Sequence, residues 1–78
     1  TGVHVYPMPF SDHLILWGRG LQRVELYDLT GRLIATHAGE PQDAPLLWHL
    51  PGLAPGVYIL KGETDTAPFT RRVMRLSP

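Results

Sequence analysis

Apolar residues along this chain come in short bursts separated by glycine and proline. Val24 and Leu26 alternate with Glu25 and Tyr27, the period-two pattern of a strand with one buried face. Leu21, Val24 and Tyr27 also recur at helical spacing, but the residues that follow favour the strand. Asp28-Leu29-Thr30-Gly31 suits a type I turn closed by a left-handed glycine, a common three-residue hairpin. The longest stretch free of glycine and proline, residues 21–30, leaves little room for helices of ordinary length. Seven strands fit the gaps: residues 3–6, 13–17, 22–28, 32–37, 46–50, 57–61 and 69–76. A tight reversal is expected at residues 17–21, an exposed loop at 38–45 and a looser turn at 62–68. Val24, Leu26, Leu33, Tyr58, Leu60 and Val73 are the expected core. Short strands at this spacing predict an all-β protein, a small β-sandwich of about seven antiparallel strands.

Composition sharpens that picture by exclusion. At 78 residues the chain is one domain, residues 1–78, with no internal repeat or low-complexity tract. Eight glycines and eight prolines exceed the usual combined share of about 12%, in keeping with a turn-rich fold. Seven basic against seven acidic residues give no net charge, which argues against nucleic acid as a partner. No apolar run approaches the length of a membrane-spanning helix. The chain opens Thr1-Gly2 without initiator methionine or signal peptide, so it reads as a piece of a longer protein or a processed product. Without cysteine there is no disulfide frame and no thiolate nucleophile.

Catalytic chemistry is hard to find. Ser11-Asp12-His13 holds the residue types of a hydrolase triad, but Asp12 points away from its neighbours in an extended chain. His4, His13, His37 and His49 fall in different strands without metal-ligand spacing, and surface positions suit them better. Gly18-Arg19-Gly20 is too short for a phosphate loop. No catalytic, cofactor-binding or metal residue is therefore assigned, and the chain is not read as an enzyme. Trp17 and Trp48, with Tyr6, Tyr27 and Tyr58, offer an alternative: a sugar-stacking platform of a carbohydrate-binding or fibronectin-like accessory module. Core packing is the weightier explanation for large aromatics in so small a sandwich. Arg71-Arg72-Val73-Met74-Arg75-Leu76 has two readings, a basic edge strand that discourages aggregation and a recognition tail.

Four segments taken in order add something further. Val5-Tyr6-Pro7-Met8-Pro9-Phe10 opens the chain, and residues 24–33 form the central hairpin around Gly31. Leu53-Ala54-Pro55-Gly56-Val57-Tyr58-Ile59-Leu60 follows, and Arg71-Arg72-Val73-Met74-Arg75-Leu76 comes last. In this order and spacing the chain resembles the C-terminal sorting domain, type A, of the Bacteroidetes type IX secretion system. The resemblance covers essentially all residues. It implies an immunoglobulin-like β-sandwich and a non-catalytic address for the outer-membrane translocon. The domain would lie C-terminal to an exported cargo, with the reading frame ending near Pro78. The implied partners are that cargo, an outer-membrane β-barrel shuttle, the translocon and a sortase-like cysteine peptidase that removes the domain. The implied route runs through the periplasm to the outer-membrane surface or beyond.

Tyr6, Pro7 and Pro9 match the family's opening motif, and Gly31, Gly56 and Tyr58 match its hairpin and Gly-x-Tyr positions. Arg71, Arg72 and Arg75 stand where its terminal basic residues stand, with Val73 and Leu76 as apolar partners. Met8 replaces a frequent asparagine, and the basic residues are all arginine rather than lysine. Physical reasons accompany several positions: the prolines remove edge donors, Gly56 permits a positive φ, and Tyr58 buries its ring while its hydroxyl reaches a loop carbonyl.

Overall fold

The computed structural model describes residues 2–42 and 44–76. Seven strands follow in order: β1 His4–Tyr6, β2 His13–Trp17, β3 Leu21–Tyr27, β4 Leu33–Gln42, β5 Leu46–His49, β6 Gly56–Glu63 and β7 Pro68–Arg75. All pair antiparallel, in a three-stranded sheet ordered β1-β2-β5 and a four-stranded sheet ordered β4-β3-β6-β7. No described residue is helical, so the strand reading of residues 22–28 is the correct one.

The two sheets enclose one apolar core. The three-stranded sheet contributes Leu14, Leu16 and Trp48, and the four-stranded sheet Val24, Leu26, Tyr58, Leu60 and Val73. Phe10, from the segment between β1 and β2, is fully buried among them. Each such side chain supplies roughly 1.5–3 kcal/mol by leaving water. No polar or charged residue is buried among those described.

The central hairpin forms as its sequence predicts. Gly31 sits at φ 92° and donates its amide to the Asp28 carbonyl at 3.1 Å. The Asp28 amide donates to the Arg32 carbonyl at 3.0 Å. One carboxylate oxygen of Asp28 accepts the amides of Thr30 and Arg32 and the Thr30 hydroxyl. Those bonds, led by the Thr30 hydroxyl, hold the Asp28 carboxyl below its ordinary pKa.

Three expectations need correction. Residues 38–45 are not a loop throughout, because β4 runs to Gln42 opposite Leu21. A register shift between Leu21 and Arg23 accommodates the extra length. Leu33 is 49% exposed rather than buried. A second shift, between Leu26 and Tyr27, sets Leu33 opposite Tyr27 on the outer face and leaves Ile34 and Ala35 against the core. The turn after β6 is tighter than expected: the strands pair as far as Glu63 and Pro68, and the Thr64 amide donates to the Ala67 carbonyl. The reversal at residues 17–21 is tight, with the Leu21 amide donating to the Gly18 carbonyl at 3.2 Å. It carries the chain from one sheet to the other.

Gly62 allows a close approach. A Cβ there would stand 2.5 Å from the Phe69 ring and 2.7 Å from the Arg23 carbonyl oxygen. The ring has room to turn, whereas the carbonyl is fixed in the β3–β6 ladder. Gly62→Ala is expected to lower stability by about 1–3 kcal/mol, with partial recovery in Gly62→Ala/Phe69→Leu. Urea unfolding checks this, and a single variant as stable as the parent would contradict the packing.

Candidate recognition surface of the terminal strand

Strand β7 lies at an edge of the four-stranded sheet, and its alternation divides the arginines. Val73 is fully buried, flanked on the inner side by half-buried Arg71 and Arg75. Thr70, Arg72 and Met74 point outward and are exposed. The three arginines, alike in sequence, are thus three different groups.

Arg71 reaches across the sandwich, donating from Nη2 to the Val3 carbonyl at 3.3 Å and from Nη1 to the Thr70 carbonyl at 3.1 Å. Its guanidinium also stands 5.9 Å from the centre of the Phe69 ring. Arg75 donates from Nη1 to the Leu76 carbonyl, and its Nε is buried without a partner. Arg72 makes no ion pair or side-chain hydrogen bond among the described residues. Among the described residues, Arg72 is the one of the three whose side chain is left open to another partner.

The backbone edge of β7 is closed at its C-terminal end. Phe10 bridges to Arg75 in parallel, donating its amide to the Met74 carbonyl at 2.9 Å and accepting the Leu76 amide at 2.8 Å. With Arg71 on the Thr70 carbonyl, the outward carbonyls at both ends of the edge are taken, leaving that of Arg72 between them.

Cross-strand register places Arg72 beside Ile59, Ile59 beside Tyr27 and Tyr27 beside Leu33. This row spans the outer face, with exposed Met74 beside it on β7 and exposed Leu29 in the hairpin at the Leu33 end. Above it stands a charged row. Glu25 accepts from the Tyr27 hydroxyl at 2.8 Å and from Arg23 at 2.7 Å, and Lys61 lies 5.4 Å from the centre of the Tyr27 ring. The Tyr27 hydroxyl first, then Arg23, holds the Glu25 carboxyl below its ordinary pKa. The same bond raises Tyr27, and Glu25 raises Arg23. Sequence reasoning missed the Arg72–Ile59–Tyr27–Leu33 row because its members come from four strands and meet only through register.

The remaining singled-out residues are spread over the molecule. Tyr6 is exposed at the end of β1, and the peptide bonds before Pro7 and Pro9 are both cis. Gly56 has φ 143° at the start of β6. Tyr58 is buried, with its hydroxyl donating to the Ala54 carbonyl at 2.6 Å, as expected. The aromatic platform does not form. Trp48 is buried at 7% exposure while Trp17 is 37% exposed, and they occupy opposite faces of one sheet. Ser11, Asp12 and His13 form no triad; Asp12 bonds its neighbour His13, which is a local surface contact.

The family model described as "Secretion system C-terminal sorting domain" matches residues 4–75, a span that includes every strand. The chain belongs to this family. Comparison with curated proteins and with solved structures finds no match. It is a type IX secretion sorting signal, which implies interaction with the type IX secretion machinery and export across the cell envelope to the cell surface or extracellular space. The family is non-catalytic in general.

Proposed function

We propose that this sorting domain is the C-terminal address of an exported cargo, read on the outer face of the four-stranded sheet around Arg72. The family match over nearly the whole chain supports the sorting role, and the exposed Arg72, without a side-chain partner among the described residues, supports the choice of face. A shuttle or translocon subunit receives the domain from the periplasm, and a sortase-like peptidase then removes it from the cargo. Arg72, Met74 and Leu76 supply the contact with the machinery, a cation beside apolar surface. Arg71, Val73 and Arg75 act from within by holding β7 in place.

The test fuses the chain to the C-terminus of a periplasmic reporter in a bacterium with the type IX apparatus. The parent fusion is expected outside the outer membrane, and retention in the periplasm would overturn the function itself. Arg72→Gln is expected to fold normally, because exposed charges contribute only about 0–1 kcal/mol. A carboxylate on the receptor would lose charge-assisted hydrogen bonds worth about 1.5–3 kcal/mol, a roughly tenfold to hundredfold loss of affinity. Export should fall while circular dichroism and melting stay at parent values. An Arg72→Gln fusion exported as well as the parent would move recognition to another face. Arg71→Gln is expected to act chiefly on stability.

A further inference from the structure

The Asp28–Gly31 hairpin leaves a hollow of about 240 Å³ on the outer face of the four-stranded sheet, lined by Tyr27, Asp28, Leu29, Gly31, Ile59 and Lys61. Register fixes its plan. Tyr27 pairs with Ile59, Lys61 lies two residues along β6 on the same face, and the hairpin lies beyond that pair in the opposite direction. Arg72 flanks Ile59 from β7. The walls are held before anything binds. The Tyr27 hydroxyl donates to Glu25 at 2.8 Å, and the Lys61 ammonium stands 5.4 Å from the ring centre. Asp28 accepts the amides of Thr30 and Arg32 and pairs with the Arg32 guanidinium at 3.4 Å. Gly31 brings no side chain into the space, and Leu29, 66% exposed, offers apolar surface at its side.

We infer that this hollow receives an aromatic side chain from an acidic segment of the secretion machinery. The inference rests on the reading of this face as the recognition surface. Size argues for a single side chain: pockets for drug-sized ligands run from about 300 to 1,000 Å³ and enclose them, whereas this hollow is smaller and open. A ring entering it meets the Tyr27 ring and the Lys61 ammonium, between the apolar surfaces of Leu29 and Ile59. Charge sets what stands beside the ring. Lys61 and Arg72 are two cations diagonal to one another around Ile59. Glu25, opposite Lys61, is already engaged by Arg23 at 2.7 Å and by Tyr27. A carboxylate next to the incoming aromatic residue therefore finds cations toward β7. On the hairpin side it would meet the Asp28 carboxylate, which gives the segment a direction.

Two arms test this. In the first, acetyl-Glu-Phe-Glu-amide is titrated into the ¹⁵N-labelled 78-residue chain, with acetyl-Lys-Phe-Lys-amide and acetyl-Glu-Ala-Glu-amide as controls. Saturable shifts are expected at the amides of Tyr27, Leu29, Gly31, Ile59 and Lys61, with binding about fivefold tighter than for either control. Leu29→Ser and Lys61→Gln should each weaken it by a similar factor while melting like the parent, since both side chains are exposed. In the second arm, reporter fusions with these two substitutions should be exported less than the parent. Absence of saturable binding by the acidic aromatic peptide would overturn the hollow, as would equal binding of all three peptides. So would normal export of a folded Leu29→Ser fusion; if Arg72→Gln is retained in that case, the face remains the recognition surface and only the hollow is lost. A parent fusion held in the periplasm overturns the sorting role instead, and the peptide arm then decides the hollow by itself.

Discussion

Tyr58→Ala is expected to unfold the domain. The ring fills the space between the sheets from the middle of β6, and the hydroxyl bonds to the Ala54 carbonyl in the preceding turn. Removing a buried aromatic side chain costs about 3–5 kcal/mol, comparable with the whole stability of a domain this small. Tyr58→Phe separates the two contributions: it keeps the ring and should cost only about 1 kcal/mol. Thermal melting followed by circular dichroism checks both. If the alanine variant melts within a few degrees of the parent, the ring is not a central support.

Phe10→Ala is expected to be as damaging, for a reason that reaches beyond volume. Phe10 is fully buried, and truncating it again forfeits about 3–5 kcal/mol. Its backbone also closes the end of β7, so a segment released from the core would free that edge. Urea unfolding should show a large drop in midpoint. Hydrogen exchange should show faster exchange at the Leu76 amide than a loss of global stability alone would produce. Slow exchange at Leu76 in a folded Phe10→Ala chain would show that the bridge stands without the ring.

Much of this architecture was legible in the sequence because glycine and proline act locally. The Asp28–Gly31 turn, the strand at residues 13–17 and the orientation of Tyr58 follow from nearest neighbours and chain geometry alone. What stayed hidden depends on register. Phe10 follows two prolines and looks like part of an exposed lead-in, yet it is among the most deeply buried residues. Gly39-Glu40-Pro41 reads as a linker, and only the shift opposite Leu21 and Arg23 extends β4 through it. Leu33 fits the expected alternation until the displacement at Tyr27 turns it outward. The candidate surfaces were harder still. Nothing in the order of the residues distinguishes Arg72 from Arg71 and Arg75, and Tyr27 and Ile59 meet only across two strands far apart in the chain.

The Phe10–Arg75 bridge joins the first stretch of the chain to nearly its last described residues. A polypeptide emerging with its N-terminus first has exposed Phe10 long before residue 75 is free to meet it. Until then Phe10 has no ladder partner, and the sandwich is missing Val73, one of its fully buried side chains. Folding is thereby tied to the arrival of β7, and a chain that stops before it lacks the finished sandwich. Under the proposed reading, a receptor for the outer face around Arg72 would engage only molecules in which β7 has been made and docked against Phe10.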